Sequence, residues 1–217
     1  MTAEIETPAQ RPFMRGRLHE WGFFMSLPMG VALVATAAGA MSKFAAIVYA
    51  ASLAALFGTS ALYHRITWSP RARAVMRRLD HSMIFILIAG TYTPLCLIVL
   101  HGTWAHVVLA TVWTGAIAGI LLKTLAYDRT QKIGGALYIG LGWVVVIALP
   151  QILGGMSSVG IALLVTGGVL YTLGAFVLFR RFPNPSPRIF GYHEVFHSMV
   201  LGAGICHYVA VLGVVSR

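Results

Sequence analysis

The chain has 217 residues, of which 58% are hydrophobic and only 10% are charged. This composition excludes an ordinary soluble domain and indicates an all-α, polytopic membrane protein. The formal net charge is +10, but the basic residues lie in short stretches between hydrophobic runs rather than along one face. That pattern argues against nucleic acid as a partner and favours a role for these charges in membrane topology.

Seven segments meet the requirement of about 20 predominantly apolar residues for a spanning helix. They are predicted at residues 21–41, 44–64, 80–100, 104–122, 133–150, 157–179 and 193–215. We expect residues 1–20 to form a cytoplasmic N-terminal segment without a secretory signal, and residues 21–217 to form a single seven-helix transmembrane domain. Cys96 and Cys206 both lie in apolar runs, so we expect buried thiols and no disulfide.

The distribution of Lys and Arg predicts the orientation of these spans. Basic residues precede span one and fill the segments between spans two and three, four and five, and six and seven. The other side carries only Lys43 and Arg217. This alternation predicts a seven-transmembrane bundle in the inner membrane, with its N-terminus in the cytoplasm and its C-terminus outside.

Five polar residues then come to one depth near the cytoplasmic face: His64 at the end of span two, Asp80 and His81 at the start of span three, and His193 and His197 at the start of span seven. Ser60, four residues before His64, can approach the same point from span two. Positions four apart share a helix face and are separated by about 6 Å along the axis, so the last two histidines can bind one ion. Three imidazoles suit Zn²⁺ and leave a fourth position for water. Asp80 would orient or deprotonate that water.

Asp80 and His81 are consecutive and differ by about 100° around a helix, so at most one of them points at the bundle centre. We assign the centre to Asp80 and a hydrogen-bonded packing role to His81. An ion pair with Arg77 or Arg78 in the neighbouring basic segment is the alternative for Asp80.

Three motifs carry a resemblance to a known family: SALYH at residues 60–64, LDHSMIFILIAGTYTP at 79–94, and HEVFH at 193–197, followed by His207. Together they resemble the hemolysin III branch of the progestin and adipoQ receptor family, across essentially all seven spans. The resemblance implies a zinc ion held by His64, His193 and His197, with Asp80 and Ser60 close to the metal-bound water. It also places the chain in a superfamily with alkaline ceramidases.

The preferred hypothesis is therefore a zinc-dependent hydrolase of a lipid amide or ester, with a membrane lipid as substrate or ligand. A non-enzymatic sensor or receptor-like regulator with a structural zinc is the alternative from another class. Residues 193–197 also match H-E-x-x-H, in which the glutamate is the general base of a metallopeptidase. We expect Glu194 instead to lie beside the site or to pair with Arg188. A membrane-lytic protein is a further, weaker hypothesis.

Four other histidines are outside the predicted ligand set. His19 precedes span one and lies either at the surface or beside the site. His101 and His106 belong to the opposite face, across a core of roughly 30 Å. His207 follows His197 by ten residues, about 15 Å along the helix, and is expected to form a buried hydrogen bond.

Overall fold

The computed structural model of the chain describes residues 11–127 and 130–217. Residues 1–10 of the predicted N-terminal segment and Arg129, which contributed to the orientation, lie outside the described residues. Within the described ranges the α-helices are α1 (Arg17–Thr36), α2 (Gly39–Arg65), α3 (Pro70–Pro94), α4 (Gly102–Leu125), α5 (Gln131–Gly142), α6 (Leu149–Gly155), α7 (Ser158–Arg180) and α8 (Tyr192–Val215). No β-strand occurs there beyond one isolated bridge, between Ser186 and Phe190.

The described residues form seven helical segments that are long and apolar enough to cross a membrane. This confirms the predicted fold class and span number, although several boundaries differ. The first span ends at Thr36 rather than at residue 41, because the chain turns at Ala37 and Ala38 and α2 begins at Gly39. Gly39 has φ +81°, a conformation that only glycine adopts without strain. The backbone amide of Ala38 donates to the carbonyl of Val215 at 2.8 Å, which links this turn to the end of α8.

The third span begins ten residues earlier than predicted. Ser69 caps the helix by accepting a hydrogen bond from the backbone amide of Ala72, and Pro70 occupies the first turn, where proline's missing N–H costs nothing. The basic residues from Arg71 to Arg78 therefore lie on a helix and not in a loop. At the other end α3 continues through a π-helical turn at Leu95–Val99.

The fifth span is interrupted, which hydropathy alone does not predict. It is formed by α5, a 3₁₀ segment at Val144–Ala148, and α6, and the span itself covers Ile133–Gly155. The phenolic hydroxyl of Tyr92 on α3 donates to the carbonyl of Gly142 at 2.8 Å and accepts from the amide of Val145 at 2.8 Å. The side chain of a neighbouring span thus satisfies backbone groups at the interruption, as a polar backbone in an apolar medium requires.

Helices α2, α3 and α8 form the interior of the bundle, because about half or more of each apolar window is buried, against 17–22% for the other four spans. Leu53 and Phe57 of α2, Leu87 of α3 and Val211 of α8 belong to one buried apolar cluster. Large apolar side chains on the outer helices are exposed, such as Phe176 at 54%, as lipid-facing residues should be. Cys96 and Cys206 are free thiols, and the first is buried.

Candidate metal centre

The three histidines predicted as ligands converge between α2 and α8. His64 lies in the last turn of α2, and His193 and His197 lie in the first two turns of α8. One ligating nitrogen from each ring lies within 4.8 Å of the other two. The Nε2 atoms of His64 and His193 are 3.2 Å apart. His64 and His197 are buried, whereas His193 is partly exposed. His64 and His193 thus face one point although they are 129 residues apart in the sequence.

The chemistry of this donor set fits a cation. Zinc–nitrogen bonds of about 2.0–2.1 Å separate two ligands of a tetrahedral ion by about 3.3 Å, and the observed separation of the His64 and His193 nitrogens is 3.2 Å. The Nδ1 atom of His197 is buried and has no hydrogen-bond partner within the described ranges. A buried polar atom is costly without a partner. The cluster is accordingly a candidate metal centre, and three neutral imidazoles are typical ligands of a borderline metal ion.

The structure brings Ser60 and Asp80 together beside this cluster. Ser60 lies one turn before His64 on α2 and is 3% exposed. Its side chain interacts with the Asp80 carboxylate, which comes from α3, is 14% exposed and has its Oδ2 atom 3.5 Å from Nδ1 of His81.

His19, which the sequence left undecided, is a buried member of the site. Its Nδ1 atom is 2.8 Å from the Ser60 hydroxyl. Its ring stacks on His197 with a centroid distance of 3.7 Å and an interplanar angle of 7°. His19 lies in the first turn of α1, which begins at Arg17. Hydropathy does not predict this turn as helical, because it contains charged residues and precedes the apolar run from residue 21.

His81 occupies the packing position expected of it. Its Nδ1 atom is 2.9 Å from the carbonyl of Arg77, and its Nε2 atom is 3.0 Å from the hydroxyl of Tyr127. The hydroxyl of Tyr138 donates to the His81 carbonyl at 2.9 Å. Both ring nitrogens are thus engaged outside the histidine cluster, and this histidine fixes α3 against the α4–α5 region.

The expected pairing of Glu194 with Arg188 is wrong. Glu194 is fully buried, and its Oε1 atom lies 2.6 Å from Nε of Arg15. Its Oε2 atom accepts from the amide of Gly191 at 2.9 Å, as a glutamate at the third helical position does when it caps its own helix. Arg188 instead offers its backbone carbonyl to the amide of Phe13 at 3.0 Å. Both oxygens of Glu194 are therefore engaged, one by Arg15 and one by the start of its own helix.

The segment before α1 packs against the candidate centre. Backbone bonds from Phe13 to Arg188 and from Met14 to Ile189 hold it against the α7–α8 connection, each at 3.0 Å. Gly16 then has φ +78°, and a Cβ atom there would lie 2.7 Å from Cβ of His64. Only glycine allows this close approach between the N-terminal segment and a candidate ligand.

The remaining histidines lie away from the cluster. His101 and His106 are at the start of α4, about 30 Å from Asp80 by the rise of an intervening helix. His207 is buried, and its Nε2 atom is 3.1 Å from the carbonyl of Leu164. A Cβ atom at Gly167 would approach Cδ2 of His207 to 2.3 Å. The expected buried hydrogen bond of His207 is confirmed.

The fold and the site define a multi-pass membrane protein of seven helices in which three histidines from α2 and α8 could hold a metal ion. Comparison with known proteins then identifies the family. The model of the family described as "Haemolysin-III related" matches residues 8–208. The chain belongs to this family, as the resemblance in the sequence implied.

Individual relatives agree with this assignment. Hemolysin-3 of Bacillus cereus is 36% identical over 198 residues, which cover 89% of this chain and 87% of the relative. The Hemolysin-3 homolog of Bacillus subtilis (strain 168) is 32% identical over 198 residues, 89% of each chain. The human Monocyte to macrophage differentiation factor is 24% identical over 176 residues, 78% of this chain and 69% of the relative.

Proposed function

We propose that this protein is a zinc-dependent hydrolase of a lipid amide or ester bond. One observation carries the proposal: three imidazole donors converge at zinc-binding distance, and Ser60, which interacts with Asp80, is connected to them through His19, whose ring stacks on His197. A structural zinc would need four protein ligands, whereas three leave a position open for chemistry. The proposed ligands are His64, His193 and His197.

The residues around the cluster have separable roles in this proposal. When bound, zinc would polarise the scissile carbonyl and lower the pKa of a water molecule. Asp80 takes up the proton of the attacking water on its carboxylate and returns it to the departing amine or alcohol. Ser60 orients that carboxylate through its hydroxyl. Since a hydroxyl has one donor, Ser60 then accepts from Nδ1 of His19.

We further propose that the centre faces the cytoplasm from the plasma membrane. Apart from Lys43 and Arg217, the basic residues of the described ranges lie at the same end of the bundle as the histidines, including Arg65 at the end of α2, Arg71 to Arg78 on α3 and Arg180 at the end of α7. The positive-inside rule assigns that end to the cytoplasm. A lipid could then approach from the inner leaflet, with its acyl chain between spans and its polar part at the metal.

A sensor in which zinc only joins α2 to α8 is the second candidate, because the cluster does bridge the first and last thirds of the chain. The two functions differ in what Asp80 does. In a sensor, Asp80→Asn only replaces a mostly buried carboxylate with an amide of similar shape, whereas in a hydrolase it removes the group that moves the proton.

The test is a hydrolysis assay with purified, zinc-loaded protein on acyl lipids with amide and ester linkages. Asp80→Asn should retain zinc and helical content but lose about 10²–10⁴-fold in turnover, the usual loss when a general base is removed. Glu20→Gln is the matched control and should retain turnover, because the Glu20 carboxylate is 36% exposed and pairs with Arg65. Full turnover by Asp80→Asn, or zinc-loaded wild type that hydrolyses no acyl lipid, would contradict the hydrolase proposal.

A further inference from the structure

Asp80, which moves the proton in the proposed function, has a second polar neighbour besides Ser60. Its Oδ2 atom lies 3.5 Å from Nδ1 of His81, the next residue on α3. Consecutive residues on a helix do not face each other, so adjacency in the sequence does not by itself produce this contact. The contact depends on what holds the imidazole ring beside the carboxylate.

The His81 ring is held at both of its nitrogens. Its Nδ1 atom lies 2.9 Å from the carbonyl oxygen of Arg77, one turn earlier on α3. Its Nε2 atom lies 3.0 Å from the hydroxyl of Tyr127, which follows α4. The hydroxyl of Tyr138 also donates to the main-chain carbonyl of His81 at 2.9 Å. The ring and the backbone that carries it are therefore both fixed by residues outside the histidine cluster.

These partners determine which nitrogen of the neutral His81 ring carries the proton. A carbonyl oxygen can only accept, so the bond to Arg77 requires a proton on Nδ1. Nε2 is then the acceptor, and the Tyr127 hydroxyl donates to it. The Nδ1–H group beside Asp80 is accordingly a donor. Its first acceptor is the Arg77 carbonyl, and its second is the Asp80 carboxylate.

Two basic side chains support Tyr127 in turn. The guanidinium of Arg77 lies 4.3 Å and Nζ of Lys123 lies 5.3 Å from the centre of its ring. Lys123 is buried on α4, and an ionisable side chain buried in a transmembrane span indicates a functional role, because such burial is costly. Cations over the face of a phenol are attracted to the ring and draw electron density from it. They therefore hold Tyr127 in place and strengthen its hydroxyl as the donor to His81.

We propose that His81 is a positioning residue for Asp80, with its Nδ1–H group holding the carboxylate from α3 while Ser60 holds it from α2. A carboxylate with polar partners on two helices keeps one orientation, which is the condition for efficient proton transfer. Tyr127 acts one step further away, by keeping the proton of His81 on Nδ1. The inference rests on the proposed function for the role of Asp80, and it gives His81 a role beyond the packing of α3.

Two amide variants of the full-length protein separate positioning from packing. The amide nitrogen of asparagine can take the place of Nδ1, whereas that of the longer glutamine can take the place of Nε2. If His81 positions Asp80, His81→Asn should retain most of its turnover, whereas His81→Gln should lose about tenfold or more in kcat, as expected for a lost hydrogen bond to a charged group. KM should stay unchanged, because the lost interaction acts in the transition state. If His81 only packs against Tyr127, His81→Asn is the worse variant, and that order would overturn the inference.

His106 provides the matched control for both variants. Its Nδ1 atom lies 3.0 Å from the carbonyl of Gly102, one turn earlier on α4, so it has the same contact with its own helix. His106→Asn and His106→Gln should leave kcat unchanged. Zinc content and helical content by circular dichroism confirm that each variant is folded. Equal losses in the two His81 variants, or no loss in either, would also overturn the inference.

A second measurement needs no turnover. In protein containing isotopically labelled histidine, the NMR spectrum should show His81 with a proton on Nδ1 and none on Nε2, and the spectrum of His81→Asn identifies its signals. Asp80→Asn should move the Nδ1–H signal further than Ser82→Ala, which changes the other neighbour of His81 in the chain. A proton on Nε2, or equal movement in the two variants, would overturn the inference.

The two measurements also separate this inference from the proposed function. A zinc-loaded wild type that hydrolyses no acyl lipid would refute the proposed function, and the NMR spectrum would then decide the contact between His81 and Asp80. Full turnover by His81→Gln, in a protein that Asp80→Asn inactivates, would refute this inference alone.

Discussion

Replacement of Glu194 by glutamine should destabilise the protein strongly while leaving its chemistry intact. The carboxylate and its partner Arg15 are 1% and 10% exposed, so the pair is shielded from water. Breaking a buried pair by removing one partner costs about 3–5 kcal/mol, because it leaves an uncompensated charge. A glutamine oxygen can still accept from the Gly191 amide, so we expect the lower end of that range, about 3 kcal/mol.

The assay is a double-mutant cycle on unfolding in mixed detergent micelles, with Glu194→Gln, Arg15→Gln and the double variant. Residues that interact directly give coupling energies of about 0.5–3 kcal/mol, and this buried pair should give about 2 kcal/mol or more. The pair Arg65 and Glu20, at 37% and 36% exposure, is the matched control and should couple by less than about 1 kcal/mol. Coupling near zero for Arg15 and Glu194 would refute the reasoning. So would a Glu194→Gln protein of normal stability that has lost all turnover, since that result restores the glutamate as a general base.

Three further outcomes are expected. His64→Ala should lower bound zinc at least tenfold by elemental analysis, whereas His106→Ala should not change it; full zinc content in His64→Ala would remove α2 from the site. Gly16→Ala places a Cβ atom at φ +78° and 2.7 Å from Cβ of His64, so it should lower the free energy of unfolding by about 1–3 kcal/mol and weaken zinc binding. Gly135→Ala is the control and should be neutral, because its added Cβ has nothing within 4 Å. Equal effects of the two variants would contradict the contact between Gly16 and His64. A cysteine placed at Asn184, in the α7–α8 connection, should not react with an impermeant thiol reagent added to intact cells, whereas a cysteine at Ser216 should react. The opposite labelling pattern would mean that the chain has the inverted orientation in the membrane.

The spans and the histidine cluster were predictable because both depend on local spacing. Long apolar runs mark spans whatever they pack against, and histidines four apart share a helix face in any α-helix. Placing His64 at the same depth needed only the order of the spans and the positive-inside rule. Hydropathy misplaced their ends, however. The N-terminal turn of α1 and the basic first turns of α3 contain charged residues, so they are helical without being apolar.

Contacts between distant segments were not predictable in the same way. Arg15 and Glu194 are 179 residues apart, and nothing in either local sequence selects one partner over the nearer Arg188. The 3₁₀ interruption at Val144–Ala148 consists entirely of apolar residues, so its hydropathy is the same as that of a continuous helix. Tyr92, which bonds to the backbone there, belongs to another span. Such features depend on the packed bundle and not on any one segment.

The wide separation of the proposed ligands has a consequence for how the protein is made. His64 and His193 are 129 residues apart, and translation at about 5–20 residues per second separates their emergence by roughly 6–26 seconds. During that interval α2 is in the membrane with a single histidine at its end, and α8 does not yet exist. Binding of a metal ion by the proposed ligands would therefore follow insertion of all the intervening helices. An ion at this centre would stabilise completed bundles over partial ones, and an immature chain would be detectable as a metal-free species.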